Sequence, residues 1–271
     1  MPEMAEVETV RNVLKKRILN KKIVDVNIIY SKMIGKSSLK LNNLISQSFI
    51  DIKRKGKYLL FETQDYYLIS HLRMEGKFFT KDKDEEIVKH EHIIITFNDN
   101  STLRYHDVRK FGIMCLLKKN DLNKFSELNK LGYDVGDKNI SIDYLLSKFK
   151  NKRLPIKTIL LDQSIIAGLG NIYADEVLFR SKINPLKRGC DITSEEASSI
   201  IKSSAYIINK AIESGGTTIR SYTSSLNVIG HYQDYLMVHK RENEPCKICN
   251  SIIKRIKVGG RSTYYCPKCQ K

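Results

Sequence analysis

Residues 246–269 read CKICNSIIKRIKVGGRSTYYCPKC and place Cys246, Cys249, Cys266 and Cys269 as two CxxC pairs separated by sixteen residues. A CxxC knuckle turns two thiolates toward one point. Two such knuckles at this spacing supply the four soft donors of a tetrahedral zinc site. Between them, SIIKRIKVGGRSTYY reads as a β-hairpin with Gly259-Gly260 at its turn. From Lys240 to Lys271 there are nine Lys or Arg and two acids, Glu242 and Glu244. Arg261 follows the hairpin glycines directly, so a basic tip is built onto the metal-held ribbon. Such a tip suits phosphate contact; a purely structural staple is the competing reading. The other two cysteines stand alone. Cys115, in GIMCLL, reads as a small buried hydrophobe, and Cys190, after LKRG, as a surface thiol.

Upstream of the ribbon, the chain from about 122 onward is helical in pattern. In TSEEASSIIKSSAYIINKAIES, Thr193 is an N-cap with Glu196 three residues on, and Gly215-Gly216 lies past the end. Residues 217–235 are polar and serine-rich and read as a mobile loop. From about 22 to 118 the pattern is short β-type runs: IVDVNIIY, FIDIKRKGKYLLFET, YYLISHL, HIIITF, TLRYHDV and GIMCLL. Turn residues at Lys55-Gly56 and Asn98-Asp99-Asn100 separate them, which predicts an antiparallel sandwich or barrel. Residues 3 to about 19 set Met4, Val7, Val10, Val13, Leu14 and Ile18 on one helical face, with Glu3 and Glu6 where acids complement the helix dipole.

The chain carries 47 Lys plus Arg against 30 Asp plus Glu, a formal charge of +17. Such an excess points to a polyanionic partner, because neutralising phosphates releases their condensed counterions. Neither a bilayer-spanning apolar run nor a secretory leader is evident, so a cytoplasmic protein is expected.

The ordered stretches MPEMAEVETV, RKGKYLLF, HLRMEGKF, KHEH, RYHDVRKFG, DQSIIAGLGNIYADEVLF, SGGTT and NEPC, with the cysteine hairpin, together resemble the formamidopyrimidine-DNA glycosylase family, related to endonuclease VIII. The resemblance spans essentially the whole chain. It implies an α+β architecture in three segments. These are an N-terminal antiparallel β-sandwich with an N-terminal helix (1–120), a helical helix-two-turn-helix domain (121–235) and a C-terminal zinc-finger β-hairpin (236–271). It implies a monomeric, bacterial-type, nucleoid-associated repair enzyme with one structural zinc, acting on damaged double-stranded DNA.

By this resemblance Pro2 is the nucleophile once Met1 is removed. An α-amino group titrates near pH 8, so far more of it is neutral at pH 7 than of a lysine. Glu3 matches the catalytic acid, Glu6 a supporting carboxylate, and Lys57 a lysine acting near the lesion. Arg261 matches a hairpin contact that assists elimination. Met74, Arg109 and Phe111 match the residues that fill the void left by an extruded base. His90, Arg109, Arg153 and Asn171 fall at DNA-contact positions, with His71 and Lys157 as further candidates. His90 and His92 alternate on a strand pattern and lack an evident third metal ligand. Ala5, Val108 and His239-Lys240-Arg241 depart from the family's usual proline, proline and Tyr-Gly-Arg. Three other functions compete: an endonuclease VIII-like preference for oxidised pyrimidines, a catalytically silent zinc-dependent binder of damaged DNA, and a zinc-ribbon RNA-binding protein.

Overall fold

In the computed structural model, which describes residues 2–217 and 230–271, the N-terminal apolar stripe folds as helix α1, Met4–Ile18. Glu3 is its N-cap and forms a reciprocal capping box with Glu6. This satisfies helix-start N–H groups that the helix leaves without partners. Val7, Val10, Leu14 and Ile18 face the core.

Eight strands follow: β1 Ile23–Ile28, β2 Asp51–Lys55, β3 Tyr58–Glu62, β4 Tyr66–His71, β5 Lys77–Asp82, β6 Glu91–Phe97, β7 Ser101–His106 and β8 Ile113–Lys118. They form two four-stranded antiparallel sheets, ordered β1-β6-β7-β5 and β2-β3-β4-β8. Strand β5 was not among the runs read from sequence; KFFTKD has too few apolar residues to announce itself. Its Phe78 nevertheless bridges the sheets, 5.4 Å from Phe61 of β3 and 5.2 Å from Tyr105 of β7. One continuous core cluster joins α1 to both sheets, as in a sandwich.

The sandwich buries one ion-pair network. Arg104, 1% exposed, donates to Glu91 at 3.0 Å and to the carbonyls of Asp82, Glu85 and Glu86. Lys81 reaches the other oxygen of Glu91 at 2.9 Å. Burial pushes the Glu91 carboxyl upward, but Lys81 and Arg104 outweigh it and hold it below its ordinary value.

Beyond the sandwich come α2 Ser126–Asn129, β9 Tyr133–Asp134, α3 Ile142–Phe149, α4 Ile156–Leu160, β10 Ile166–Ala167, α5 Asn171–Arg180 and α6 Ser194–Glu213. Thr193 and Glu196 close the expected capping box on α6. Strands β11 Lys254–Val258 and β12 Arg261–Tyr265 make the C-terminal hairpin, with Gly259 and Gly260 at φ +55° and +77° in its turn. Both angles lie in the left-handed region, where a residue without Cβ is unstrained.

The chain divides into two compact units: Met1–Asn129 with Gly215–Gly230, and Lys130–Ser214 with His231–Lys271. The zinc hairpin belongs to the same unit as α3 to α6. Most of the serine-rich stretch 217–235 lies outside the described residues; its end forms a 3-10 turn at Tyr232–Tyr235. Among the described residues no helix is long and apolar enough to cross a membrane.

Candidate active site

In the first unit, Pro2 is buried directly ahead of α1, and Glu3 beside it is 3% exposed. Glu6 accepts the Glu3 N–H at 2.9 Å on Oε2. Its Oε1 accepts the Thr217 N–H at 2.8 Å and hydroxyl at 2.9 Å. Lys57 is buried in the β2–β3 turn, where Gly56 adopts φ +56°. Arg54 fastens that turn, donating to Glu8 of α1 at 2.7 Å and to the Gly56 carbonyl at 2.9 Å. Lys57 is thereby carried by a turn docked on the helix that Glu3 begins.

Two loops carry the candidate void-filling residues. The first leaves β4 at His71 and enters β5 at Lys77, with half-buried Met74 between. Arg73 takes φ +52°, and its N–H donates to His71 Nδ1 at 3.0 Å. The second runs from Asp107 to Gly112, with Arg109 and Phe111 exposed and the guanidinium 4.9 Å from the Phe111 ring centre. The fully buried carboxylate of Asp107 holds both ends of this turn. It accepts the Arg109 N–H at 3.0 Å and the Gly112 N–H at 2.8 Å. The two loops meet at Tyr105. A Cβ on Gly76 would stand 2.1 Å from the Tyr105 hydroxyl oxygen, and one on Gly112 1.7 Å from it. Only glycine permits so close an approach from both sides.

His71 requires a correction. It is 8% exposed and its Nδ1 is an acceptor, so it is not a cation available to a phosphate. Burial, then the charges of Arg73 and Lys57, push its pKa down to about 3. The alternation read for His90 and His92 is also interrupted. His90 precedes β6 at φ +74°, and the register shifts between Glu91 and Ile93. His92 is buried with Nε2 2.8 Å from the Asp107 carbonyl oxygen, whereas His90 is half-buried beside His106, ring centres 5.7 Å apart.

In the second unit, Arg153 is exposed just before α4, and Arg261 is exposed at the start of β12. Asn171 opens α5 after the N-cap Gly170, at the positive end of the helix dipole, which favours an anion. Its Nδ2 donates to the Ser262 carbonyl at 2.8 Å, tying the helix start to the hairpin. Gly259 packs on α4: a Cβ there would lie 2.6 Å from Thr158 Oγ1.

Lys157 also departs from the expected DNA contact. It is 0% exposed and its ammonium donates to Asp175 Oδ1 at 2.6 Å and to the Asn171 carbonyl at 2.8 Å. It therefore braces the start of α5 from inside and exposes nothing to solvent for a DNA contact. The departure at His239 is explained here: its Nδ1 lies 2.7 Å from Asp175 Oδ2, completing a buried Lys-Asp-His network. Neighbouring Glu176 accepts the N–H groups of Met237, Val238 and His239, fixing the chain that leads into the zinc module. Neither Asp107 nor Asp175 was singled out from sequence. A lone aspartate carries no periodicity; the only local signal was Asp107 between a strand pattern and RKFG.

The ligand atoms of Cys246, Cys249, Cys266 and Cys269 lie within 4.8 Å of one another, the one such group among the described residues. Four converging sulfurs fit a single tetrahedral zinc with no open position, a structural site.

Three family models match the chain in series. They are the formamidopyrimidine-DNA glycosylase N-terminal domain over residues 1–114, its H2TH domain over 131–223, and the zinc finger found in FPG and IleRS over 243–271. A formamidopyrimidine-DNA glycosylase of Ligilactobacillus salivarius is 44% identical, the alignment covering 100% of this chain and 99% of that protein. One from Streptococcus pneumoniae is 42% identical over 100% of this chain and 99% of its own length. The chain belongs to the formamidopyrimidine-DNA glycosylase family. Among solved structures, Lactococcus lactis Fpg bound to DNA containing an abasic site superposes with a TM-score of 0.93 at 38% identity, covering 100% of both chains. The same bacterium's Fpg bound to DNA containing N7-benzyl-Fapy-dG gives 0.92 at 38% identity, again over 100% of both. An α+β fold with a sandwich, a helical H2TH segment and a zinc finger is thus common to this chain and its relatives.

Proposed function

We propose that the protein is a bifunctional base-excision repair enzyme, removing oxidised purines such as 8-oxoguanine and formamidopyrimidines from duplex DNA and then cleaving the abasic site. The observation that carries the reading is the start of α1. There a proline, able to present a secondary amine once Met1 is removed, adjoins a buried carboxylate, Glu3.

In this reading the Pro2 nitrogen attacks the deoxyribose C1′, and the bond to the damaged base breaks as the base accepts a proton. The nitrogen then loses its proton and its lone pair moves to C1′ as the C1′–O4′ bond breaks, with Glu3 protonating O4′ of the opening sugar. The secondary amine yields a cationic iminium directly. That cation accepts electrons as a C2′ proton leaves and the 3′ phosphate departs; a second elimination releases the 5′ phosphate. Lys57 moves protons near the lesion, and Glu6 orders the Glu3 backbone. Met74, Arg109 and Phe111 occupy the space vacated by the extruded base. His90, Arg153, Asn171 and Arg261 hold the backbone, with Arg261 assisting the second elimination. The zinc stiffens the hairpin that carries Arg261. The three segments 1–120, 121–235 and 236–271 divide this work, and the enzyme acts as a cytoplasmic, nucleoid-associated monomer.

Borohydride reduction with duplexes holding 8-oxoguanine opposite cytosine tests the proposal. A covalent adduct mapping to Pro2 is expected, abolished by Pro2→Gly or by a retained Met1. Absence of an adduct from correctly trimmed, zinc-loaded protein would refute the nucleophile. Faster release of thymine glycol than of 8-oxoguanine would transfer the substrate class to oxidised pyrimidines.

A further inference from the structure

The second unit holds a groove of about 1020 Å³, lined by the C-terminal half of α5, the end of α6, the Tyr232–Tyr235 turn and the zinc module. Its floor is apolar, from Phe179, Ile207, Tyr232 and Met237. Tyr206, Tyr235 and Ile248, 46%, 63% and 66% exposed, also line it, which is a costly concentration of apolar surface in contact with water. Arg180, Lys182, Lys210 and Lys268 bring positive charge to the same walls. Two acids oppose them. Glu176 turns its carboxylate inward to three backbone N–H groups, and Glu213 is 3.6 Å from Lys210. The groove is therefore apolar within and net positive around.

We infer that this groove docks an acidic segment of a partner protein, seating a bulky apolar side chain on the floor and carboxylates against the lysines. Charge complementarity selects a polyanion, and the ring geometry selects a peptide over a nucleic-acid strand. Single-stranded nucleic acid needs open aromatic faces on which successive bases stack. Here the Arg180 guanidinium covers one face of Tyr206 at 3.7 Å and Tyr232 is 5% exposed, which leaves Tyr235 as the one broadly open ring of the groove, too few for successive bases to stack. The groove begins at Glu176, roughly 7.5 Å along α5 from Asn171, and runs toward the C-terminal end of that helix. A partner seated there leaves the α5 N-terminus uncovered. The inference stands independently of the catalytic reading.

Fluorescence anisotropy with the full-length, zinc-loaded chain tests it. The probe is a labelled Asp-Asp-Glu-Asp-Leu-Phe peptide; a second peptide replaces Leu-Phe with Ala-Ala, and an oligothymidylate serves as the nucleic-acid control. Saturable binding with a Kd on the order of 10 µM is expected for the first peptide. It should weaken about tenfold for the Ala-Ala peptide and about tenfold in Lys182→Glu/Lys210→Glu, with Arg261→Ala unchanged. Both substituted lysines are solvent-exposed, and an unaltered melting curve checks that the variant folds. Equal binding of the two peptides, or full binding by the charge-reversed variant, would overturn the inference. So would loss of binding in Arg261→Ala, which would place the peptide on the hairpin. Tighter oligothymidylate binding that the charge reversal abolishes would make the groove a nucleic-acid site instead.

Discussion

Glu6 and Thr217, 211 residues apart in sequence, share one carboxylate oxygen: Glu6 Oε1 accepts both the Thr217 N–H at 2.8 Å and its hydroxyl at 2.9 Å. Gly216 makes this possible, since a Cβ there would lie 3.0 Å from the same oxygen and its φ is +81°. The other Glu6 oxygen holds the Glu3 N–H, so one buried side chain fixes the start of α1 against a segment distant in sequence.

Glu6→Gln keeps one acceptor oxygen but sets an amide NH2 against an N–H donor. Leaving a buried donor unmatched costs about 1–3 kcal/mol. Urea unfolding followed by circular dichroism should show that loss. A midpoint equal to that of the unsubstituted protein would mean Glu6 does not anchor the segment.

Asp107 organises the loop that presents Arg109 and Phe111. Asp107→Asn should retain the sandwich yet loosen the turn, lowering affinity for abasic duplex by about tenfold, because only one of two N–H groups keeps its acceptor. Gly112→Ala should be worse, since its Cβ would collide with the Tyr105 hydroxyl. Gel-shift titration compared with Arg109→Ala checks the order; binding by Gly112→Ala as tight as by the unsubstituted protein would remove Tyr105 as the common support.

His71 makes stability depend on acid. Its folded pKa, about 3, lies below the ordinary 6.5, so the unfolded chain binds the extra proton first. The contribution is complete above pH 6.5 and is lost progressively as pH falls from 6.5 toward 3. At pH 5 the loss is about 2 kcal/mol. His71→Gln should flatten that part of the pH–stability curve, measured by urea unfolding at pH 7 and pH 5. An unchanged pH slope would count against a buried neutral imidazole.

Arg261 and Lys157 should separate cleanly in salt titrations of DNA binding. Arg261→Ala should reduce the slope of log K against log salt by about one, as for loss of a phosphate contact. Lys157→Met should leave the slope of the folded protein unchanged but destabilise it by about 3–5 kcal/mol, because Asp175 loses its buried cation. A reduced slope for Lys157→Met would return that lysine to the DNA interface.

Much of the site was legible because its signals are local. The CxxC spacing, the Thr193–Glu196 cap and the α1 stripe each depend on neighbours within a few residues. Ion pairs are different. Nothing near Lys157 indicates Asp175 eighteen residues away or His239 beyond it, so a basic residue in a basic chain read as a DNA contact. The bulge at His92, between Glu91 and Ile93, likewise arises from pairing with β7 and not from the KHEH stretch itself.

Sequence alone determined the zinc ligands, the helix that follows Pro2, the antiparallel strand pattern and the basic character, because covalent spacing and side-chain periodicity fix these without distant partners. Tertiary structure decided which charges face outward and which lock the interior. The cost of burying an unpaired charge is met only by a partner that folding brings near. That is why Arg153 and Arg261 stay exposed while Lys157 is drawn inside against Asp175, and His71 is buried only as a neutral imidazole.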